Sequence, residues 1–155
     1  LLAFAMPALP LPPAPQPSSP PTAATQLLQQ GNQQYQSGRL EAAIQSWQRA
    51  LELYRRQQDQ SGEAIVLTSL GATYVTLERY REAVSTLETY LPIARSLSDR
   101  LRQAQALSNW GIAYEALGKY GKALESHRMA GRLMRSLNNQ PGLGQVLLNL
   151  GNTFE

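Results

Sequence analysis

The sequence has no cysteine and a single histidine, and both shortages exclude kinds of chemistry. Without cysteine the chain can form no disulfide, no thiolate zinc site and no cysteine nucleophile. A Ser–His–acid triad would need His127, and a metal site would lack a second histidine. The serines and acidic residues form no cluster at catalytic spacing. We therefore expect no catalytic residue, no metal site and no cofactor, and a structural role for His127.

Charge is also sparse. Charged residues make up 16% of the chain, and the net charge is +3. Without a focused basic patch, this balance is too small to indicate nucleic-acid binding. No apolar run is long enough to span a bilayer, since a spanning helix needs about 20 residues.

The first 25 residues differ from the rest of the chain. The apolar stretch "LLAFAMPAL" is followed by "PLPPAPQPSSPPTAAT", in which the prolines disfavour helix. The "AFA" resembles a small-x-small cleavage site, so residues 1–25 are predicted to be the end of a signal peptide or anchor plus a disordered Pro-rich linker. An exported, periplasmic or membrane-tethered protein is then expected. The alternative is an apolar part of a longer linker in a cytoplasmic protein. The missing initial Met and the helical pattern at the other end suggest a fragment.

An internal repeat with a period of 40 residues begins at residue 26. Gly31, Gly71, Gly111 and Gly151 recur at this spacing. Other columns of the same period are Leu27/Leu67/Leu107/Leu147, Leu40/Tyr80/Tyr120, Ala43/Ala83/Ala123, Arg55/Arg95/Arg135 and Asp59/Asp99/Asn139. So many coincident columns establish the repeat.

Each unit is predicted to contain two helices. In the second unit, Leu67, Leu70, Tyr74 and Leu77 follow helical spacing, and a second apolar face begins at Ala83 after a short polar break. No strand-like alternation is present. Gly38 and Gly118 are predicted to form the turn between the two helices.

Boundaries between units carry helix-start signals. These are Ser61 before Gly62, Asp99 before "RLRQ", and Pro141 after Asn139. Pro92 lies inside a predicted second helix, where it should kink the helix or loosen one turn.

Glycine in the first helix, an aromatic three residues later and alanine twelve residues later resemble the tetratricopeptide repeat. The residues that carry the resemblance are Leu67, Leu70, Gly71, Tyr74, Tyr80 and Ala83, then Leu107, Trp110, Gly111, Tyr114, Gly118, Tyr120 and Ala123. The resemblance implies an all-α, right-handed superhelical solenoid of antiparallel helix pairs, with repeats at about 26–60, 61–100, 101–140 and a partial 141–155. It also implies a non-catalytic scaffold that binds a protein or peptide partner.

The 40-residue period is longer than the usual 34 residues of this family. Such units look like those of bacterial arrays that often precede a caspase-like CHAT peptidase domain. The alternative function is therefore a regulatory or sensor region of a larger enzyme lying outside this chain.

In tetratricopeptide arrays the first helices line a concave groove, at four positions per unit. Carried over to this sequence, the predicted groove residues are Asn32, Tyr35, Ile65, Thr68, Ala72, Val75, Gln105, Ser108, Ile112, Glu115, Gln145, Leu148 and Asn152, preceded by Thr25 and Leu28. This set contains no Lys or Arg, which argues against the family's clamp for a C-terminal carboxylate. A neutral or apolar peptide or helix is the expected ligand, including a downstream segment of the same chain.

Two other patterns suggest functions that we do not favour. The stretch from Gly111 to Lys119 lacks the spacing and the Ser or Thr of a phosphate loop, and no strand precedes it. All lysines and arginines except Arg100 and Arg102 fall in the second helices and their leading turns. Their columns could form a nucleic-acid surface, but the interleaved glutamates favour an ordinary solvated face.

Overall fold

In the computed structural model, residues 22–152 are described, and they form seven α-helices. These are α1 (Ala23–Gln36), α2 (Leu40–Gln57), α3 (Gln60–Thr76), α4 (Tyr80–Ser96), α5 (Arg100–Ala116), α6 (Tyr120–Ser136) and α7 (Gln140–Asn152). No strand occurs within this range. The predictions for residues 1–21, and for the end of the partial repeat after Asn152, lie outside the described residues.

The helices stack in chain order, as the repeat predicts. Each helix packs against the next, and the first helices of successive units also touch, α3 against α5 and α5 against α7. The chain is an all-α helical repeat solenoid, with three hairpins (α1–α2, α3–α4, α5–α6) followed by α7. None of the helices in the described part is long and apolar enough to cross a membrane.

Small residues lie where the helices approach closely. Ala43, Ala83 and Ala123 have no exposed surface. Gly31 lies against the indole of Trp47, and Gly71 lies against Leu87, where an added Cβ would be 3.1 Å from the nearest side-chain atom. Because the glycines carry no side chain, Trp47 and Leu87 can fill the space between the helices.

The turn inside each hairpin needs a left-handed backbone. Gly38 and Gly118 have φ of +75° and +69°, which confirms them as the turn residues. Glu78 occupies the same column with a φ of 57°. In every unit the next residue's N–H donates to a carbonyl five residues earlier, for example Arg79 N to Tyr74 O at 2.8 Å. The second unit therefore has the same left-handed turn and the same hydrogen bond as the other units, although glutamate replaces glycine at position 78.

The unit boundaries are capped by one recurring column. The side chains of Asp59, Asp99 and Asn139 accept from the backbone N–H of the residue three positions later, at 2.9–3.0 Å. The expectation that Ser61 starts α3 is therefore wrong, since α3 begins at Gln60 and Asp59 caps it. Asp59 satisfies one of the N–H groups that lack a partner inside the helix.

The second unit departs from its neighbours at the end of α4. Pro92 lies inside α4, which continues to Ser96. In units one and three, backbone N–H groups of Asp59 and Asn139 donate to Tyr54 O and Met134 O. The equivalent carbonyl, Ala94 O, instead accepts from the side-chain amide of Gln103 at 2.6 Å.

Unit two also differs from unit one in the position of a buried aromatic residue, which lies one helical turn earlier. Unit one has Ala50 and Tyr54, both buried, whereas unit two has Tyr90 and Ala94 at the equivalent positions. Gly62 lies directly against the Tyr54 ring. At the position equivalent to Gly62, unit two carries Arg102, and at the position equivalent to Tyr54 it carries the smaller Ala94.

Candidate functional site

A cavity of about 890 Å³ runs along the first helices, from α1 to α7. The side chains that line it come mainly from α1, α3, α5 and α7, with Trp47 and Met134 contributed by second helices. The face that the family resemblance assigns to ligand binding is thus a continuous concave surface.

The predicted groove residues divide into two groups. Those that line the cavity are Asn32, Tyr35, Ile65, Thr68, Ala72, Gln105, Ser108 and Gln145. Those outside its walls are Thr25, Leu28, Val75, Ile112, Glu115 and Leu148. Asn152 ends α7, and its side chain lies outside the described set. On α3, α5 and α7 the predicted residues that line the cavity precede those that do not, whereas on α1 the lining residues are the later pair, Asn32 and Tyr35.

Sequence reasoning missed the residues that follow the predicted ones. Ser69, Thr73 and Asn109 also line the cavity, each one position after a predicted residue. Val75 and Ile112 come after the last cavity-lining residues of α3 and α5, which are Thr73 and Asn109. Ser69 and Asn109 belong to one repeat column with Asn149, and this column of small polar residues was the available signal.

Hydrogen bonds fix some polar side chains of the groove and leave others free. Asn149 donates to Ser108 Oγ at 3.2 Å, and Gln145 donates to Asn149 Oδ1 at 3.1 Å. In contrast, the amides of Gln105 and Asn109 make no hydrogen bond within the described residues. Free amides beside a wide cavity can pair with the backbone of a bound chain, since an amide both donates and accepts.

One end of the groove is aromatic. The rings of Tyr35 and Trp47 lie 5.8 Å apart, inclined by 38°. Trp47 donates through its indole nitrogen to Asn32 Oδ1 at 3.1 Å, so the ring is held in place. Tyr35 is 42% exposed, which leaves its ring available for contact.

Charge is almost absent from the groove. Arg102 is the one charged side chain among the described residues that line the cavity, and the set predicted from sequence did not include it. Its guanidinium pairs with the carboxylate of Asp99, the cap of the same helix. The positive charge is therefore partly neutralised before any ligand arrives.

Cations of the outer faces are partly paired as well. Arg79 donates to Glu82 at 2.9 Å and lies 3.4 Å from Glu41, and its guanidinium lies over the Tyr74 ring. The hydrogen bond from Arg79 lowers the pKa of the Glu82 carboxyl. Arg55 lies 3.5 Å from Glu63. This pairing favours the interpretation of these faces as solvated surfaces of mixed charge. It disfavours a surface that binds nucleic acid.

His127 is fully buried in the column of Trp47 and Leu87, directly against Gly111. Neither ring nitrogen has a hydrogen-bond partner among residues 22–152. Burial lowers the pKa of the imidazole. The equivalent Trp47 nitrogen is satisfied by Asn32, but the residue at that position in the third unit is Ile112. His127 thus acts as a packing residue, and it touches no acidic partner or open surface that a general base would need.

Comparisons with known proteins agree with this architecture. Residues 21–96 match the family model described as Tetratricopeptide repeat. No curated protein matches the sequence significantly.

Solved structures show the same fold at low sequence identity. A TPR-like protein from Chlorobium tepidum has a TM-score of 0.70 at 13% identity, covering 86% of this chain and 95% of that chain. The second TPR domain of human RPAP3, in complex with the HSP70 peptide SGPTIEEVD, has a TM-score of 0.65 at 19% identity and covers 86% of this chain and 96% of that domain. The first TPR domain of human RPAP3 has a TM-score of 0.62 at 20% identity, with coverage of 86% and 97%.

Proposed function

Since the chain is a tetratricopeptide repeat protein, we propose that it is a non-catalytic interaction scaffold whose groove binds an uncharged peptide or helix. Repeats of this family typically serve as protein-interaction scaffolds.

The observation that carries the proposal is the chemistry of the cavity wall. Hydroxyl and amide groups dominate its polar part, Gln105 and Asn109 have unpaired amides, and the one cation already has an anionic partner. An uncharged chain would therefore gain hydrogen bonds and apolar contacts without leaving a desolvated charge.

The complex of RPAP3 with a peptide supports peptide binding by this chain. The charge of the peptide that we propose for this chain differs from that of the RPAP3 peptide. Its peptide, SGPTIEEVD, carries two glutamates and a terminal aspartate. An acidic ligand in the groove of this chain would lose water without meeting a free cation, because Arg102 is paired with Asp99. We therefore propose that neutral peptides are preferred over acidic ones.

Selection from a random 12-residue peptide library displayed on phage tests the proposal. Neutral sequences should be enriched, and SGPTIEEVD should not compete with them. Gln105→Arg, in the groove, should reduce binding by tenfold or more, which corresponds to about 1.4 kcal/mol.

Gln45→Arg is the matched control. Gln45 is exposed on α2, outside the cavity wall, so the same substitution there should leave binding unchanged. Enrichment of acidic peptides, or equal effects of the two substitutions, would contradict the proposed groove.

A further inference from the structure

A second cavity, of about 620 Å³, lies away from the groove, between α4, α5 and α6. Its volume is within the range of small-molecule sites, roughly 300–1,000 Å³. It shares no described lining residue with the groove cavity, so the two cavities are separate.

The inner wall is apolar, with two polar groups that lack partners. Leu91, Leu107 and Leu133 contribute aliphatic surface. Tyr90 is 2% exposed, and its hydroxyl makes no hydrogen bond within the described residues. The buried indole nitrogen of Trp110 also has no partner. Tyr90 and Trp110 both line the cavity, so a ligand that enters it changes the surroundings of these two donor groups.

The rim carries two arginines without an ion pair. Arg95 and Arg132 line the cavity, and neither lies within 4.0 Å of an acidic group in the described residues. Glu125 is the one acidic side chain among the described lining residues, so the rim keeps a net positive charge.

Comparison with the preceding unit explains why Arg95 is unpaired. The equivalent arginine, Arg55, lies 3.5 Å from Glu63. Residue 103 stands where Glu63 stands, but it is glutamine, and its amide turns inward to the carbonyls of Ala94 and Leu97. The substitution that caps α4 thus also removes the acid that would neutralise Arg95.

We propose that this second cavity binds a small amphipathic carboxylate, with its apolar body among the leucines and its carboxylate between Arg95 and Arg132. An apolar ring or chain would replace solvent inside the cavity, and charge-assisted hydrogen bonds would hold the anion at the rim.

Titration with 2-naphthoate, followed by ¹H–¹⁵N correlation spectra of the two tryptophan indoles, tests the proposal. The Trp110 signal should shift saturably, because this ring is part of the cavity wall. The Trp47 signal should stay in place, because that indole is bonded to Asn32 in the other cavity. Trp47→Phe assigns the two signals.

Matched ligands and variants separate the carboxylate from the apolar body. 2-Naphthylmethanol, which has the same ring without charge, should bind about tenfold more weakly. The exposed pair Arg95→Glu/Arg132→Glu should lose roughly tenfold or more of the affinity for 2-naphthoate. The control pair Arg128→Glu/Arg135→Glu, outside the cavity wall, should retain it, and Glu125→Gln should strengthen it.

Three results would overturn the proposal. They are an unmoved Trp110 signal, equal affinity for the acid and the alcohol, and equal affinity in the two arginine variants. An unchanged Trp47 signal in each variant shows that the fold is intact. Peptide binding in the groove is measured separately, so it can fail or succeed independently of this site.

Discussion

Gly111 and His127 pack so closely that a methyl group on Gly111 would overlap the imidazole ring. The equivalent pair, Gly71 and Leu87, leaves 3.1 Å to a flexible leucine methyl. Gly111→Ala should therefore lower the free energy of unfolding by about 1–3 kcal/mol. Gly71→Ala should cost less, because helix propensity favours alanine by up to about 1 kcal/mol. Urea unfolding of both variants measures the difference, and a Gly111→Ala protein as stable as wild type would contradict this packing.

His127→Leu should stabilise the protein, because the leucine removes two buried nitrogens that lack partners and reproduces the side chain of Leu87. The expected gain at pH 7 is on the order of 1–3 kcal/mol. Urea unfolding of wild type and variant at the same pH gives the value.

The same variant should change the pH dependence of stability. Burial lowers the native pKa of His127 below its ordinary 6.5, so the unfolded chain takes up the proton first as the pH falls. Wild type should thus lose stability relative to the variant below pH 6.5, by at most about 1.4 kcal/mol per pH unit. Above pH 6.5 their difference should be constant. Parallel curves from pH 8 to pH 5 would show that His127 is not buried and neutral.

Glu78→Gly should stabilise the second hairpin. Glu78 has a φ of 57° in the column of Gly38 and Gly118, and a side chain is strained in this left-handed region. The expected gain is about 1 kcal/mol, partly offset by the greater freedom of glycine in the unfolded chain. Gly118→Ala is the converse test. A Cβ there would meet nothing within 4 Å, so any loss of thermal stability comes from the backbone alone.

Gln103→Ala should loosen the end of α4. The Gln103 amide donates to Ala94 O and Leu97 O, at 2.6 and 2.9 Å, in place of the backbone bond found in the other units. Its loss should speed hydrogen exchange in residues 93–100 and cost about 1 kcal/mol of stability. Gln105→Ala, on the same helix with an unbonded amide, is the control and should change neither. Exchange unaltered in both variants would exclude the capping role.

Much of the fold could be predicted because the repeat columns report on packing. The 40-residue glycine column located the helix contacts, and Gly38 and Gly118 located the turns. The cap at Asp59 was missed in favour of Ser61, although Asp59 belongs to a recurring column with Asp99 and Asn139. A capping side chain must precede the first turn, and two neighbouring polar residues compete for that position.

The helices that line the cavity could be predicted, but only some of their lining side chains could be. The resemblance identified the first helices. Ser69 and Asn109 line the cavity whereas Ile112 and Glu115 do not, because the extent of the cavity along each helix depends on how the neighbouring helices pack. Arg102 was missed because it departs from its column. Its ion pair with Asp99 is local, three residues away, but the column itself predicts a glycine, as at Gly62 and Gly142.

The most direct test of the peptide-binding groove is a set of intermolecular nuclear Overhauser effects between the protein and a selected neutral peptide. Contacts from the peptide to Thr68, Gln105 and Gln145 are expected, with the peptide's end near the exposed Tyr35 ring. Contacts confined to the outer faces of α2, α4 and α6 would contradict it.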